Sequence, residues 1–190
     1  MTPRMSFDEC SLFKSVLRCA KSYLEFGTGG STVLAASIVG NAITSVDSSE
    51  EWIDKVRNAC ESDPEKIQPR FVYVDVGSTG EWGHPSDAAS RPRWPDYHRS
   101  VWKRSESSDA DVYMVDGRFR VACFMQILLH GRAGALIMFH DYNIRPEYHI
   151  VEEVAEAIAV ADSLSVFRRR NDRNDTHVRE ILASYEYNPI

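Results

Sequence analysis

The chain has 190 residues, enough for one domain with a sizeable hydrophobic core. Hydrophobic residues make up 43% and charged residues 26% of it, which is ordinary globular usage and argues against extended disorder. Its net charge of −6 disfavours a nucleic-acid backbone as the main partner. We therefore expect a single domain over residues 1–190 with no nucleic-acid partner.

Membrane insertion and disulfide bonding are not expected either. No apolar run approaches the roughly 20 residues that cross a bilayer, and residues 1–14 lack the apolar core of a secretory signal. The four cysteines, Cys10, Cys19, Cys60 and Cys123, form no CxxC pair and fit no zinc site. The sequence thus predicts reduced thiols in a cytoplasmic protein without a membrane partner.

Helical and strand-like patterns alternate along the chain. The predicted helices span residues 7–21, 31–39, 48–60, 121–129 and 147–161. The predicted strands span residues 22–26, 42–46, 71–74, 111–115, 135–139, 165–169 and 181–187. Residues 77–95 are predicted to be a long irregular loop, and the charged segment 168–177 between the last two strands a solvated turn.

This alternation predicts a doubly wound α/β fold. Its seven-stranded sheet is expected to be mostly parallel, with an antiparallel edge strand formed by the two closing runs. Ligands of such sheets bind at the carboxyl ends of the strands, beside the point where the strand order reverses. The residues that follow each strand are therefore the candidates for function.

A glycine-rich turn follows the first predicted strand, at residues 25–32 with the sequence EFGTGGST. Its glycines allow a tight turn and close approach of a ligand to the backbone. Asp47 ends the second strand, where its carboxylate could accept hydrogen bonds from both hydroxyls of a ribose. The glycines could also form an ordinary turn, and Asp47 an N-cap. Glu25 would repel a pyrophosphate, but would favour an ammonium group or brace the amides of the turn.

These motifs resemble the class I S-adenosylmethionine-dependent methyltransferases over about residues 22–142. The family's first motif corresponds to Glu25, Gly27 and Gly29, with Ser31 in place of a third glycine. Its second motif, an acid after the second strand, corresponds to Asp47. The chain also resembles small bacterial methyltransferase-like proteins of unassigned substrate, which share a loop like residues 80–85 and a run like residues 115–120.

The resemblance implies that S-adenosylmethionine is the cosubstrate. Its methionine end would lie at the glycine turn, its ribose on Asp47 and its adenine beside Asp75 and Val76. Asp75 could equally be a turn-forming residue before Gly77. The predicted cofactor-binding residues are Glu25, Gly27, Thr28, Gly29, Gly30, Ser31, Thr32, Asp47, Ser48, Trp52, Asp75, Val76, Gly77 and Asp116.

The candidate catalytic residues follow the fourth and fifth strands. In the family the residue at Asp116 faces the reacting methyl group, so Asp116 could orient the acceptor, act as a base or ligate a metal. Asp141 adds a second acid, and His140 is either a hydrogen-bonded rim histidine or a general base. Catechol-type O-methyltransferases hold magnesium here with an Asp-Asn pair. This chain has Asp141-Tyr142, which argues against a divalent metal, so no metal ligand is assigned.

Recognition of a substrate is expected from the long loop and from the run after the fourth strand. Trp82, His84 and Tyr97 belong to a dense set of aromatic and polar residues, which is typical of a specificity loop. A tryptophan there could also simply anchor the loop. Arg118, like Arg120, could bind an anionic acceptor or pair with nearby acids. The predicted substrate-binding residues are Trp82, His84, Tyr97 and Arg118.

The resulting hypothesis is methyl transfer to an unidentified small-molecule acceptor, which needs proximity, alignment and, for a hydroxyl acceptor, deprotonation. One alternative is a nicotinamide-dependent oxidoreductase. Glu25, the antiparallel closing strands and Thr32 in place of the last glycine of GxGxxG argue against it. The other is a non-catalytic protein that binds S-adenosylmethionine. A homodimer stays open as the state of assembly.

Overall fold

The computed structural model describes residues 1–172 and 174–190; Arg173, within the predicted charged turn, lies outside the described residues. Seven strands form one sheet in the order β3-β2-β1-β4-β5-β7-β6. The strands are β1 Ser22–Phe26, β2 Ala42–Asp47, β3 Arg70–Tyr73, β4 Val112–Val115, β5 Leu136–Phe139, β6 Ala155–Ala161 and β7 Leu164–Arg169. The α-helices of the described residues are α1 Phe7–Leu17, α2 Gly30–Ala35, α3 Glu50–Glu61, α4 Asp96–Arg99, α5 Arg120–His130 and α6 Asp175–Tyr185.

The sheet is parallel over its first five strands and antiparallel at one side. β1 pairs in parallel with both β2 and β4, and β4 pairs in parallel with β5. β7 runs antiparallel between β5 and β6. These pairings confirm the predicted doubly wound, mostly parallel sheet with an antiparallel edge. They also place the reversal of strand order between β1 and β4.

Two predicted elements near the end of the chain are wrong. The predicted helix over residues 147–161 is a 3₁₀ helix, Pro146–Glu153, followed by strand β6, because this segment completes the antiparallel pair with β7. Most of the predicted strand over residues 181–187 lies in helix α6, which ends at Tyr185. Asn174 caps this helix by accepting a hydrogen bond from Thr176 N at 2.9 Å. The antiparallel edge therefore consists of β6 and β7.

The predicted irregular loop is more regular than the sequence suggested. Short 3₁₀ helices span Glu81–Gly83 and Ala88–Arg93, and a single antiparallel bridge joins Thr79 to Pro85. Trp94 packs its ring 6.0 Å from that of Phe119, so this tryptophan anchors the segment onto the core.

Helices cover both faces of the sheet, and each face has its own hydrophobic core. One core surrounds helix α5, which packs against α6 and is buried along nearly its whole length. The other lies beneath α1, α2 and α3. Within the described residues, no helix is long and apolar enough to cross a membrane. The four cysteines are free thiols. The two layers leave the carboxyl ends of β1 to β5 as the shared edge on which the predicted site residues lie.

Candidate functional site

The glycine turn lies at the carboxyl end of β1, against the first residues after β4. Gly27 has a φ of +102°, and a Cβ atom there would approach Gly117 N to 2.5 Å. A Cβ atom on Gly117 would in turn collide with the Tyr97 hydroxyl. Gly29, in contrast, would place a Cβ atom in open space. The base of the turn is therefore closely packed and Gly29 faces open space, where a ligand could lie along the backbone. The backbone of Thr2 covers Gly30, because a Cβ atom there would lie 2.3 Å from Thr2 C.

Glu25 is fully buried beneath this turn, where it faces hydroxyl groups. Ser45, Ser31 and Tyr23 donate to its carboxylate at 2.8, 2.9 and 2.9 Å. Thr32 donates a fourth hydrogen bond. Burial raises the pKa of Glu25 to about 7, although these hydrogen bonds act in the opposite direction. The geometry favours a bracing role for Glu25, with hydroxyls rather than amides as its partners.

Asp47 reaches the same turn from the end of β2. Its carboxylate accepts hydrogen bonds from Thr28 N at 2.9 Å and from Ser49 N at 3.0 Å, and the buried Ser48 contributes a further amide. Burial raises the pKa of Asp47, while these amides lower it. The Trp52 indole donates to Thr28 O at 2.6 Å. Helix α3 and the end of β2 thus hold the turn in place.

The residues after β3 form a second turn. Gly77 N donates to Asp75 Oδ1 at 2.8 Å, and Arg93 pairs with the other carboxylate oxygen of Asp75. Gly77 has a φ of +87°, and a Cβ atom there would collide with Ser90. Asp75 is exposed and Val76 is buried. The structure thus shows the turn-forming role of Asp75, and a contact with adenine stays a prediction.

Four ionisable side chains meet at the rim formed by the ends of β4 and β5, and we call Asp116, Arg120, His140 and Asp141 the rim cluster. His140 Nδ1 lies 3.0 Å from Asp116 Oδ1 and 3.8 Å from Asp141 Oδ1. Arg120 Nη1 lies 3.0 Å from Asp141 Oδ2, and its Nη2 lies 3.4 Å from Asp116 Oδ1. Of the two roles open to Arg120, the structure shows pairing with nearby acids.

Glu9 of helix α1 also contacts the rim cluster, and the sequence interpretation missed it. Its Oε2 lies 3.6 Å from His140 Nε2. The same carboxylate accepts hydrogen bonds from Ser6 N at 2.8 Å and from Ser163 N at 2.9 Å. The Ser6-x-x-Glu9 spacing is a capping-box signal, which marks the start of α1. It gives no hint that Glu9 meets a histidine more than a hundred residues away.

Charge around the imidazole decides what His140 and Asp116 can do. Burial lowers the pKa of His140, but the hydrogen bond with Asp116 and the charges of Asp141 and Glu9 outweigh it, so the pKa is raised. Burial likewise raises the pKa of Asp116, but His140 and Arg120 bring it below its ordinary value. The lowered pKa makes Asp116 a weaker base, and Nδ1 of His140 is already engaged with the Asp116 carboxylate. The geometry favours a hydrogen-bonded rim histidine and an orienting role for Asp116.

The predicted substrate-binding residues divide into exposed and buried ones. Trp82 is 65% exposed, with the Arg4 guanidinium 4.4 Å from its ring centroid, and His84 is exposed too. Tyr97 is only 2% exposed within the aromatic core. Its hydroxyl lies against Gly117 in the loop that follows β4, so we assign it to the core beneath that loop and not to substrate contact. In the described part of the chain, Arg118 Nε is buried without a hydrogen-bond partner.

Comparison with solved structures gives the family. A methyltransferase-like protein from Silicibacter pomeroyi is 30% identical, with a TM-score of 0.89, and the match covers 98% of this chain and 97% of that one. The chain therefore belongs to the class I S-adenosylmethionine-dependent methyltransferase family. Neither family models nor curated protein sequences match it.

More distant structures share the fold of this methyltransferase-like chain. An O-methyltransferase from Bacillus cereus, solved with S-adenosylhomocysteine, is 16% identical with a TM-score of 0.57, over 87% of this chain and 81% of that one. An O-methyltransferase from Streptomyces achromogenes involved in tomaymycin synthesis, solved with S-adenosylmethionine, is 15% identical with a TM-score of 0.57, over 87% and 80%. At these identities the similarity concerns the fold alone.

Proposed function

We propose that this chain transfers a methyl group from S-adenosylmethionine to a small-molecule acceptor. The observation that carries the proposal is the arrangement at the reversal of strand order. Gly27 packs against Gly117, Gly29 leaves space open, and Asp47 lies beside them. This edge is where ligands of doubly wound sheets bind. The similar proteins from Bacillus cereus and Streptomyces achromogenes, solved with S-adenosylhomocysteine and S-adenosylmethionine, support the choice of ligand.

The residues present fit the cosubstrate, whose sulfonium makes its methyl group ready for transfer. The open space at Gly29 would accept the methionine end against the backbone. Asp47 would take the ribose, because each carboxylate oxygen can accept more than the one hydrogen bond that Thr28 N or Ser49 N gives it. Glu25 would not contact the cosubstrate but would hold the turn in place by accepting hydrogen bonds from Ser31 and Thr32.

The rim cluster would face the acceptor. The Asp116 side chain is 27% exposed, so it can accept a hydrogen bond from an acceptor hydroxyl or amine and align it for in-line displacement. In that step the bond from the acceptor to the methyl carbon forms as the bond from carbon to sulfur breaks. The acceptor's proton would leave to water, because the environment of Asp116 makes it a weak base. Trp82, His84 and Arg118 remain the proposed acceptor-binding side chains.

A nicotinamide-dependent oxidoreductase is not favoured. Thr32 stands where a dinucleotide motif needs its last glycine, and its hydroxyl already binds Glu25 and accepts from Gly29 N at 2.9 Å. A protein that binds the methyl donor without transferring the methyl group remains the second candidate, since the acceptor side is held by ion pairs within the protein.

Isothermal titration calorimetry with S-adenosylmethionine, S-adenosylhomocysteine and NAD tests the donor site. We expect micromolar binding of the two sulfur nucleosides, weakened about 100-fold in Asp47→Asn, because hydrogen bonds to a charged group contribute about 1.5–3 kcal/mol each. The matched control is Asp54→Asn, on the exposed face of α3, which should bind normally. Circular dichroism would check that both variants fold.

Binding of NAD alone, or of none of the three compounds, would refute the proposal. If the sulfur nucleosides bind, a screen of hydroxyl and amine acceptors that detects S-adenosylhomocysteine separates the two remaining candidates. Formation of product supports methyl transfer. Tight binding without product from any acceptor favours the non-catalytic protein.

A further inference from the structure

The rim cluster has the composition of a divalent-metal site. One ligand atom each from Asp116, His140 and Asp141 lie within 4.8 Å of one another. Carboxylate oxygens are the ligands that magnesium and calcium prefer. The resemblance to catechol-type O-methyltransferases also implies magnesium at this rim. Whether this chain's residues fit such an ion depends on what lies between the carboxylates.

The guanidinium of Arg120 lies there. Its Nη1 is 3.0 Å from Asp141 Oδ2 and 2.6 Å from His140 O. Its Nε donates to Gly117 O at 2.9 Å, and its Nη2 is 3.4 Å from Asp116 Oδ1. All three nitrogens therefore have an oxygen partner, and both carboxylates that would bind a metal already face a fixed positive charge.

Arg120 is held in this position from several sides. It is the first residue of α5, directly after Phe119, whose φ of +55° turns the chain into the helix. The centroid of the Tyr148 ring lies 5.8 Å from the guanidinium carbon of Arg120, and Arg120 itself is only 3% exposed. A divalent ion between the carboxylates would have to displace this buried side chain or lie against its charge, and both are unfavourable.

The residues after the second rim acid do not supply a replacement ligand. The Tyr142 hydroxyl donates to Glu152 at 2.9 Å. The side-chain amide of Asn143 donates to Asp162 O at 2.6 Å, on the side of the β6–β7 turn. Both side chains thus make hydrogen bonds away from the rim cluster. The residues present do not fit a metal that the resemblance implies.

We propose that Arg120 is a built-in cation that takes the place of a divalent metal in the rim cluster. Its positive charge offsets part of the negative charge of Asp116 and Asp141 and keeps both carboxylates at the rim, so that the protein binds no divalent ion there. Any acceptor would then be aligned by these carboxylates without a metal. The assignment of Arg120 concerns the protein's own charges and does not depend on methyl transfer.

Metal titration of the whole chain tests this without an acceptor or a methyl donor. The protein is stripped with EDTA and desalted, and its Tm and binding heats are measured with Mg²⁺, Mn²⁺ and Ca²⁺ up to millimolar concentration. We expect no binding heat and no rise in Tm for the wild type. Binding of about one ion that is lost in Asp141→Asn would overturn the proposal.

Three variants make the test specific to Arg120. Arg120→Gln keeps a polar side chain but removes the charge, so it should gain divalent-ion binding, with a rise in Tm of roughly 5–10 °C at 100-fold excess over Kd. Arg145→Gln is the matched control, because Arg145 lies 3.6 Å from Asp141 but is partly exposed, and it should stay insensitive. Arg120→Lys keeps the charge and should also stay insensitive.

A folded Arg120→Gln protein that responds to none of the ions would overturn the idea that Arg120 occupies a metal position. A rise in Tm with metal for Arg120→Lys would overturn it too. If Arg120→Gln does not fold, the wild-type, Arg120→Lys and Arg145→Gln titrations still decide the question. Failure of S-adenosylmethionine to bind would leave these results unaffected, so this proposal and the proposed function can fail separately.

Discussion

Replacing Glu25 by glutamine should remove most of a pH dependence of stability that this single carboxyl creates. Glu25 is fully buried, and burial raises its pKa from 4.5 to about 7. The folded protein therefore binds a proton that the unfolded chain loses above about pH 4.5. The contribution of Glu25 to the free energy of unfolding is fully present below pH 4.5 and is lost as the pH rises through about 7. Linkage converts the change in pKa to about 3 kcal/mol in total.

The part that can be measured conveniently lies between pH 5.5 and 8, where the loss amounts to about 2 kcal/mol. A glutamine side chain has the same shape as that of Glu25, and the four surrounding hydroxyls can rotate to accept from its amide. We therefore expect the free energy of unfolding of Glu25→Gln to fall less than that of the wild type over this range. Urea unfolding followed by tryptophan fluorescence at four pH values measures the difference.

Glu61→Gln, at the exposed end of α3, is the control and should follow the wild type. A parallel loss of stability in Glu25→Gln and the wild type between pH 5.5 and 8 would contradict a pKa of Glu25 raised by burial. A smaller loss in the wild type than in the variant would contradict it as well.

Three further measurements probe the turn and the rim. Gly117→Ala should destabilise the protein by about 1–3 kcal/mol, because its methyl group would collide with the Tyr97 hydroxyl. In a double-mutant cycle, adding Tyr97→Phe should restore part of this loss. An equal cost of Gly117→Ala in both backgrounds would contradict the contact. NMR titration should find the pKa of His140 above 6.5, and lower in Asp116→Asn; an unchanged value would contradict their coupling. Trp52→Phe removes the indole hydrogen bond to Thr28 O in the glycine turn. Calorimetry should then show S-adenosylhomocysteine binding weakened roughly 5- to 10-fold. Unaltered affinity would show that this hydrogen bond does not support the turn.

The first part of the fold could be predicted from the sequence because its strands are short apolar runs, and β1 and β2 are each followed by a helical pattern. The last part could not. Residues 147–161 are rich in helix-forming residues, yet β6 forms there because β7 needs a partner, and such tertiary pairing overrides local propensity. In α6, in contrast, the spacing of Val178, Ile181, Leu182 and Tyr185 is helical, and the β-branched and aromatic character of its end obscured that signal.

The site shows the same division. The glycine turn, Asp47 and the rim acids follow directly after strands, so sequence order alone places them at one edge. Glu9 could not be predicted to contact His140, because their contact depends on how α1 packs across the sheet. The sequence left two roles open for Arg120, and only the distances to both carboxylates distinguish them.

The contact between Glu9 and Ser163 has a consequence for the order in which the molecule assembles. Glu9 Oε1 accepts from Ser163 N at 2.9 Å across 154 residues of sequence. Closing so long a loop costs conformational entropy before any contact compensates for it, so contacts of this range form late in folding. On the ribosome, α1 must wait for the β6–β7 turn before Glu9 can take its final position beside His140. The contact of α1 with the rim cluster is therefore expected to form late in folding, because Glu9 and Ser163 are synthesised far apart in time.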